Sequence, residues 1–107
     1  MDRYAVEKNI GKAIDSIEAV FGTDNVDKSM RSKMSAFGAA VLMGGPLSAF
    51  AYYEKNEKKI PEMLAKMYGC GDVKELIRLF ETGSADIEEL LARSVSLKLA
   101  LNLFISE

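Results

Sequence analysis

Histidine is absent from the 107 residues, and cysteine occurs once, at Cys70. Those two facts remove most of the side-chain chemistry open to a chain of this size. Ser–His and Cys–His nucleophile pairs cannot be built, and the commonest general base and transition-metal ligand is missing. Cys70 lies between Gly69 and Gly71, with no base near it in sequence and no cationic helix start to draw out a thiolate. A single thiol also excludes an internal disulfide framework and suits a reduced compartment. Asp86, Glu88 and Glu89 could gather around a divalent cation, but acids at this spacing also stabilise the dipole at a helix start. Gly44-Gly45-Pro46 is not a phosphate loop, because the Lys-Ser/Thr that must follow one is missing. The expectation is a protein that is not an enzyme and holds neither cofactor nor metal.

Two basic clusters remain. Lys28, Arg31 and Lys33 fall together with little acid after Asp27, and Lys55, Lys58 and Lys59 form a second group. Phosphates need only a few well-placed cations, and contacts to them carry no sequence preference, so these six residues are the candidate nucleic-acid-binding set. Tyr52 and Tyr53 stand beside the second cluster, where an aromatic face could stack on a base. Against this, charge runs are ordinarily solvated surface and aromatics at helical spacing ordinarily core. With 14 basic and 16 acidic residues the net charge is −2, so any nucleic-acid contact must be local rather than a bulk attraction.

The elements that must position these residues are helical. Val6, Ile10, Ala13, Ile14, Ile17, Val20 and Phe21 recur every three or four residues, which predicts a helix from about Arg3 to Phe21, stopped at Gly22. Met30, Met34, Phe37, Val41 and Leu42 repeat the period up to Gly44-Gly45, with Asp24 or Asp27 available to cap the start. Pro46 is tolerated at a first helical position and opens a third helix through Leu47, Phe50, Ala51 and Tyr53. That helix is expected to dissolve into the charged run from Glu54 to Lys59. A short helix restarts at Ile60-Pro61, carries Leu64, Met67 and Tyr68, and closes at Gly69. Asp72 and Glu75 have the capping-box spacing for a helix through Phe80. After the turn Thr82-Gly83-Ser84, a long terminal helix runs from Ile87 to Phe104, either central in the core or partly covered by another chain.

No segment alternates like a half-buried strand, so the fold class is all-α, a compact bundle of five to six helices, with residues 1–107 as a single domain. Phe37, Phe50, Leu76 and Leu97 are expected inside it. No stretch approaches the length of a membrane span, and Met1-Asp2-Arg3-Tyr4 lacks the apolar run of a signal peptide. The chain is therefore expected in the cytoplasm, with no membrane partner.

From Gly45 onward the string has a glycine, an apolar position, a few small or polar residues, and an apolar-Ala-aromatic triplet, Phe50-Ala51-Tyr52, that opens onto the polar turn at Glu54 and Lys55. This resembles the central signature of the small subunit of type III-B CRISPR effector complexes, the Cmr family. The likeness extends from about Lys28 to the C-terminus and includes Tyr68-Gly69, the Asp72-initiated helix and an aliphatic last helix. Pro46, Gly38 and Leu42 or Met43 depart from the family pattern, as does the end of the last helix, which lacks the family's Trp and Lys-Arg pair. The resemblance implies a non-catalytic subunit whose copies stack in a filament beside other subunits of the ribonucleoprotein. Its cations would touch guide or target RNA through phosphates in antiviral defence. A small subunit of another CRISPR effector type and a helical adaptor that never meets nucleic acid are the alternatives.

Overall fold

The computed structural model describes residues 3–22 and 26–105. Among these the chain forms seven helical segments and no strand: α1 (Arg3–Glu7), α2 (Ile10–Phe21), α3 (Ser29–Gly44), α4 (Pro46–Asn56), α5 (Lys59–Met67), α6 (Val73–Glu81) and α7 (Ile87–Leu101). The expected all-α bundle is thus what the chain adopts, with α1 and α2 standing where one continuous helix was expected. The interruption has a local cause. The Asn9 side chain donates to the Ala5 carbonyl at 2.8 Å, and its own backbone N–H reaches Val6 instead of Ala5. An Asn side chain that competes for a helical carbonyl loosens the ladder at that turn. Ser96, buried on α7, places its hydroxyl 2.7 Å from the Val6 carbonyl and so ties α1 to the last helix.

Helix α7 is the spine. It packs against α1, α2, α3 and α5, while α4, α5 and α6 pack on one another at the side of the bundle. Phe37, Phe50, Leu76 and Leu97 are fully buried, as their positions in the period require. The core stripe of α3 is Met30, Met34, Phe37 and Val41, spaced four, three and four residues apart. Leu42 lies one residue, about 100° of helix, beyond that stripe. It was expected on the apolar face and is instead 70% exposed.

Two further differences from the sequence reading concern helix ends. Helix α4 continues through Asn56, so the first half of the charged run is helical. Helix α7 stops at Leu101, and the amides of Asn102, Leu103 and Phe104 then bond three residues back in a tightened turn. The carbonyl of Phe104 is taken by the amide of Val26, which ties the C-terminal turn to the start of α3. At the other chain junctions the reading holds. Gly22, Gly45, Gly69 and Gly83 all have positive φ, and Asp27 accepts from the Ser29 amide at 2.8 Å. The other cap considered there, Asp24, lies outside the described residues. Among the described residues no helix is long and apolar enough to cross a membrane.

Candidate nucleic-acid interface

The corner between α3 and α4 decides where the aromatic residues go. Gly45 has φ 92° and ψ 163°, a region that a side chain makes costly, and its amide closes α3 on the Val41 carbonyl at 2.9 Å. Pro46 then starts α4 directly. The chain reverses tightly enough for Phe37 of α3 to meet Phe50 of α4 at 5.6 Å between ring centroids and Tyr53 edge-on at 5.3 Å. Phe50 reaches Phe80 of α6 on its other side at 5.4 Å. Because Phe50 and Tyr53 fill this interior, Tyr52, one step around the helix, is turned outward. It is 57% exposed and meets the ring of Tyr53 at 5.3 Å between centroids.

Lys55 lies three residues beyond Tyr52 and shares its side of α4. Lys58 and Lys59 follow at the entrance to α5, both exposed. Lys33, from α3, is drawn to the same turn by Glu57, whose carboxylate it meets at 2.7 Å. That hydrogen bond, followed by the direct attraction of Glu57, holds the Lys33 ammonium above its usual pKa. Lys59 leans over the ring of Phe21, 4.6 Å from its centroid, which covers apolar surface while the charge stays wet. Four of the six candidate cations therefore share one region, along with Glu54, Glu57 and Glu62. The local excess of positive charge is small.

Lys28 and Arg31 are elsewhere. Arg31 is two residues, about 200°, from Lys33 around α3, so the first basic cluster is split by the helix itself. Arg31 donates to the Asn102 side chain at 2.8 Å. With Lys28 and Lys98 it borders a groove that also holds Ser29, Ser32 and Ser35. Asp27 at the rim is held below the usual carboxylate pKa, chiefly by the Ser29 backbone hydrogen bond. Lys98 was not among the residues that sequence spacing singled out. It stands alone among aliphatic residues at the end of α7, and only the packing of α7 on α3 brings it beside Ser35.

The other candidates resolve into structural roles. Asp86 caps α7 by accepting from the Glu89 amide at 2.8 Å, and Glu89 pairs with Arg93 at 3.0 Å. Among the described residues no three metal-ligating side chains come together. Cys70 is buried, and burial pushes its thiol pKa up, with Glu75 and Asp72 acting in the same direction. It is the opposite of an activated nucleophile. A feature the sequence reading missed is the cluster at Tyr68. The guanidinium of Arg93 lies 4.1 Å from the centroid of its ring and donates to the Met67 carbonyl, while the Tyr68 hydroxyl is buried without a hydrogen-bond partner among the described residues.

No protein-family model, no curated protein and no solved structure matches the chain.

Proposed function

We propose that this chain is a non-catalytic helical subunit of an RNA-guided effector particle, of the kind that the Gly45-to-Lys55 signature resembles, the type III-B CRISPR small subunit. The observation that carries the reading is Tyr52: an exposed aromatic ring with Lys55 on the same side of α4 and Lys58 and Lys59 just beyond. An exposed aromatic beside cations is the minimum that a sequence-tolerant RNA contact needs, with the ring stacking on a base and the ammonium groups meeting phosphates. Guide–target pairing would read the sequence, and this surface would supply shape and charge. Lys33 contributes through its place beside Glu57, while Lys28 and Arg31 lie on the other flank of α3.

The test is the combined variant Tyr52→Ala, Lys55→Glu, Lys58→Glu in particles isolated from the native host through a tag on this chain. The reading expects RNA-containing particles from the unaltered chain. The variant should assemble normally, capture target RNA more weakly and lose about 0.7 in salt slope for each phosphate contact removed. Particles without RNA, or undiminished capture by an assembled variant, would overturn it. A second reading, a protein-binding adaptor with no nucleic-acid role, is favoured by a different observation: Leu42 and Met43 at the end of α3 are 70% and 88% exposed.

A further inference from the structure

Helix α7 keeps one face on the outside of the bundle. Ile87, Leu91, Val95 and Leu99 follow one another at four-residue spacing and so form a single ridge along that face. Ile87 and Leu99 at its ends are 41% and 49% exposed, Leu91 and Val95 are half-buried, and Leu103, in the turn beyond, is 71% exposed. A hollow of about 360 Å³ runs beside the ridge, walled by Leu91 and Val95, by Ser94 and Lys98 of the neighbouring row, and by Gly38 and Leu42 of α3. Ridge and groove therefore stand side by side on one helix. The charges of this face lie at opposite ends, Glu88 near the start of α7 and Lys98 near its end, and both are exposed. Arg93, the cation between them in sequence, is about 200° around the helix from Val95, where it pairs with Glu89 and covers the ring of Tyr68.

We propose that this face binds a second copy of the chain, with α7 crossing α7 in the antiparallel sense about a two-fold axis near Val95. A helix that carries a four-residue ridge beside a groove of the same pitch fits its own copy, because each ridge can enter the other's groove at a crossing angle of about −50°. Charge decides the direction. In a parallel pairing Glu88 would meet Glu88 and Lys98 would meet Lys98, whereas the antiparallel one sets each Lys98 on the side of the second copy's Glu88. A foreign partner would have to supply ridge, groove and both charges in the reversed order; this chain already contains them. Contact is confined to one helix and the edge of α3, which is small for an interface, so the dimer is weak and dissociates at micromolar concentrations. A two-fold pair closes at two copies. The inference thus differs from the filament stacking that the family resemblance implies, and it does not rest on the RNA reading, whose Tyr52 and Lys55 stand on α4.

The experiment is sedimentation equilibrium of the full chain from micromolar to millimolar concentration. The weight-average mass should rise from 11.8 kDa toward twice that value and no further. Leu99→Glu, at a half-exposed position, should hold the chain at the monomer mass with its melting temperature in dilute solution nearly unchanged. Glu88→Lys and Lys98→Glu should each weaken the dimer about fivefold at low salt, and the double exchange should restore it, because both charge pairs lie between copies. Restoration is what a merely adhesive face would not give. A monomer at every concentration, association beyond two copies, a dimer indifferent to Leu99→Glu, or a double exchange no better than the single ones would overturn the proposal. So would a foreign protein recovered with the unaltered chain and lost with Leu99→Glu while the chain alone stays monomeric. An RNA-capture test that fails while the dimer behaves as described removes the RNA reading alone, and the reverse result removes only the dimer.

Discussion

Tyr68 is a titratable residue whose hydroxyl lies out of contact with water. Burial pushes its hydroxyl well above the usual value of 10.0, and the thiol of nearby Cys70 is pushed above 9.0 by the same cause. Groups with raised folded-state pKa values hold their protons longer in the fold than in the unfolded chain. Their contribution is therefore complete below the unfolded values and is lost as pH rises through them. Lys33, raised by Glu57, acts in the same direction. The melting temperature should hold nearly constant to about pH 8 and decline increasingly above 9 to 10. Tyr68→Phe removes an unpartnered buried hydroxyl while keeping the ring under Arg93 and against Phe80. It should stabilise the fold by about 1 kcal/mol in chemical denaturation and shallow the alkaline decline. A net loss of stability would show that the hydroxyl has a partner in solution.

At the scale of elements, the helix starts are where local sequence acts most directly. Asp72 accepts from the Glu75 amide at 2.8 Å, and Asp86 accepts in the same way from Glu89. Asp72→Ala and Asp86→Ala should each cost about 1 kcal/mol, read from denaturation midpoints at constant m-value. Glu75 reaches back as its spacing predicts, but its carboxylate accepts from Gly71 rather than from the cap residue's own amide, one residue further than the capping box places it. The α3–α4 corner is the more demanding element. Gly45→Ala meets no atom within 4 Å, so its cost is backbone strain alone, about 1 to 3 kcal/mol. A neutral Gly45→Ala would mean that the corner relaxes into an ordinary turn and that the position of Tyr52 is not held by it.

For the molecule as a whole, Phe50 is the residue that joins the corner to the far side of the bundle, through Phe37 and Phe80. Phe50→Ala should cost about 3 to 5 kcal/mol, a large share of the stability of a domain this small, and the melting curve should broaden or vanish. Net charge acts at the same scale. At −2, with Glu54, Glu57 and Glu62 among the cations of the α4–α5 turn, the isolated chain should bind RNA only weakly. If the proposed RNA role holds, affinity should become measurable only in an assembly that supplies further phosphate contacts, which a filter-binding comparison of the free chain with whatever particle copurifies with it reads directly.

The all-α architecture, most helix boundaries and the buried places of Phe37, Phe50, Leu76 and Leu97 were legible in the sequence alone. They depend on periodicity, glycine and capping residues, all of which act within a few positions along the chain. The break at Asn9 escaped because one side chain outweighs an apolar pattern that runs straight through it. The cations show the limit more sharply. Lys28, Arg31 and Lys33 are neighbours in sequence, yet the turn of α3 sends Lys33 to Glu57 and the other two to a different face. Lys98, some seventy residues from Lys28, joins the groove only because α7 packs on α3. Which charges share a surface, and that Leu42 is bare while Val41 is covered, are decided by which helices meet. Contacts between distant segments are selected by the packing of the whole core, and no short stretch of sequence contains that information.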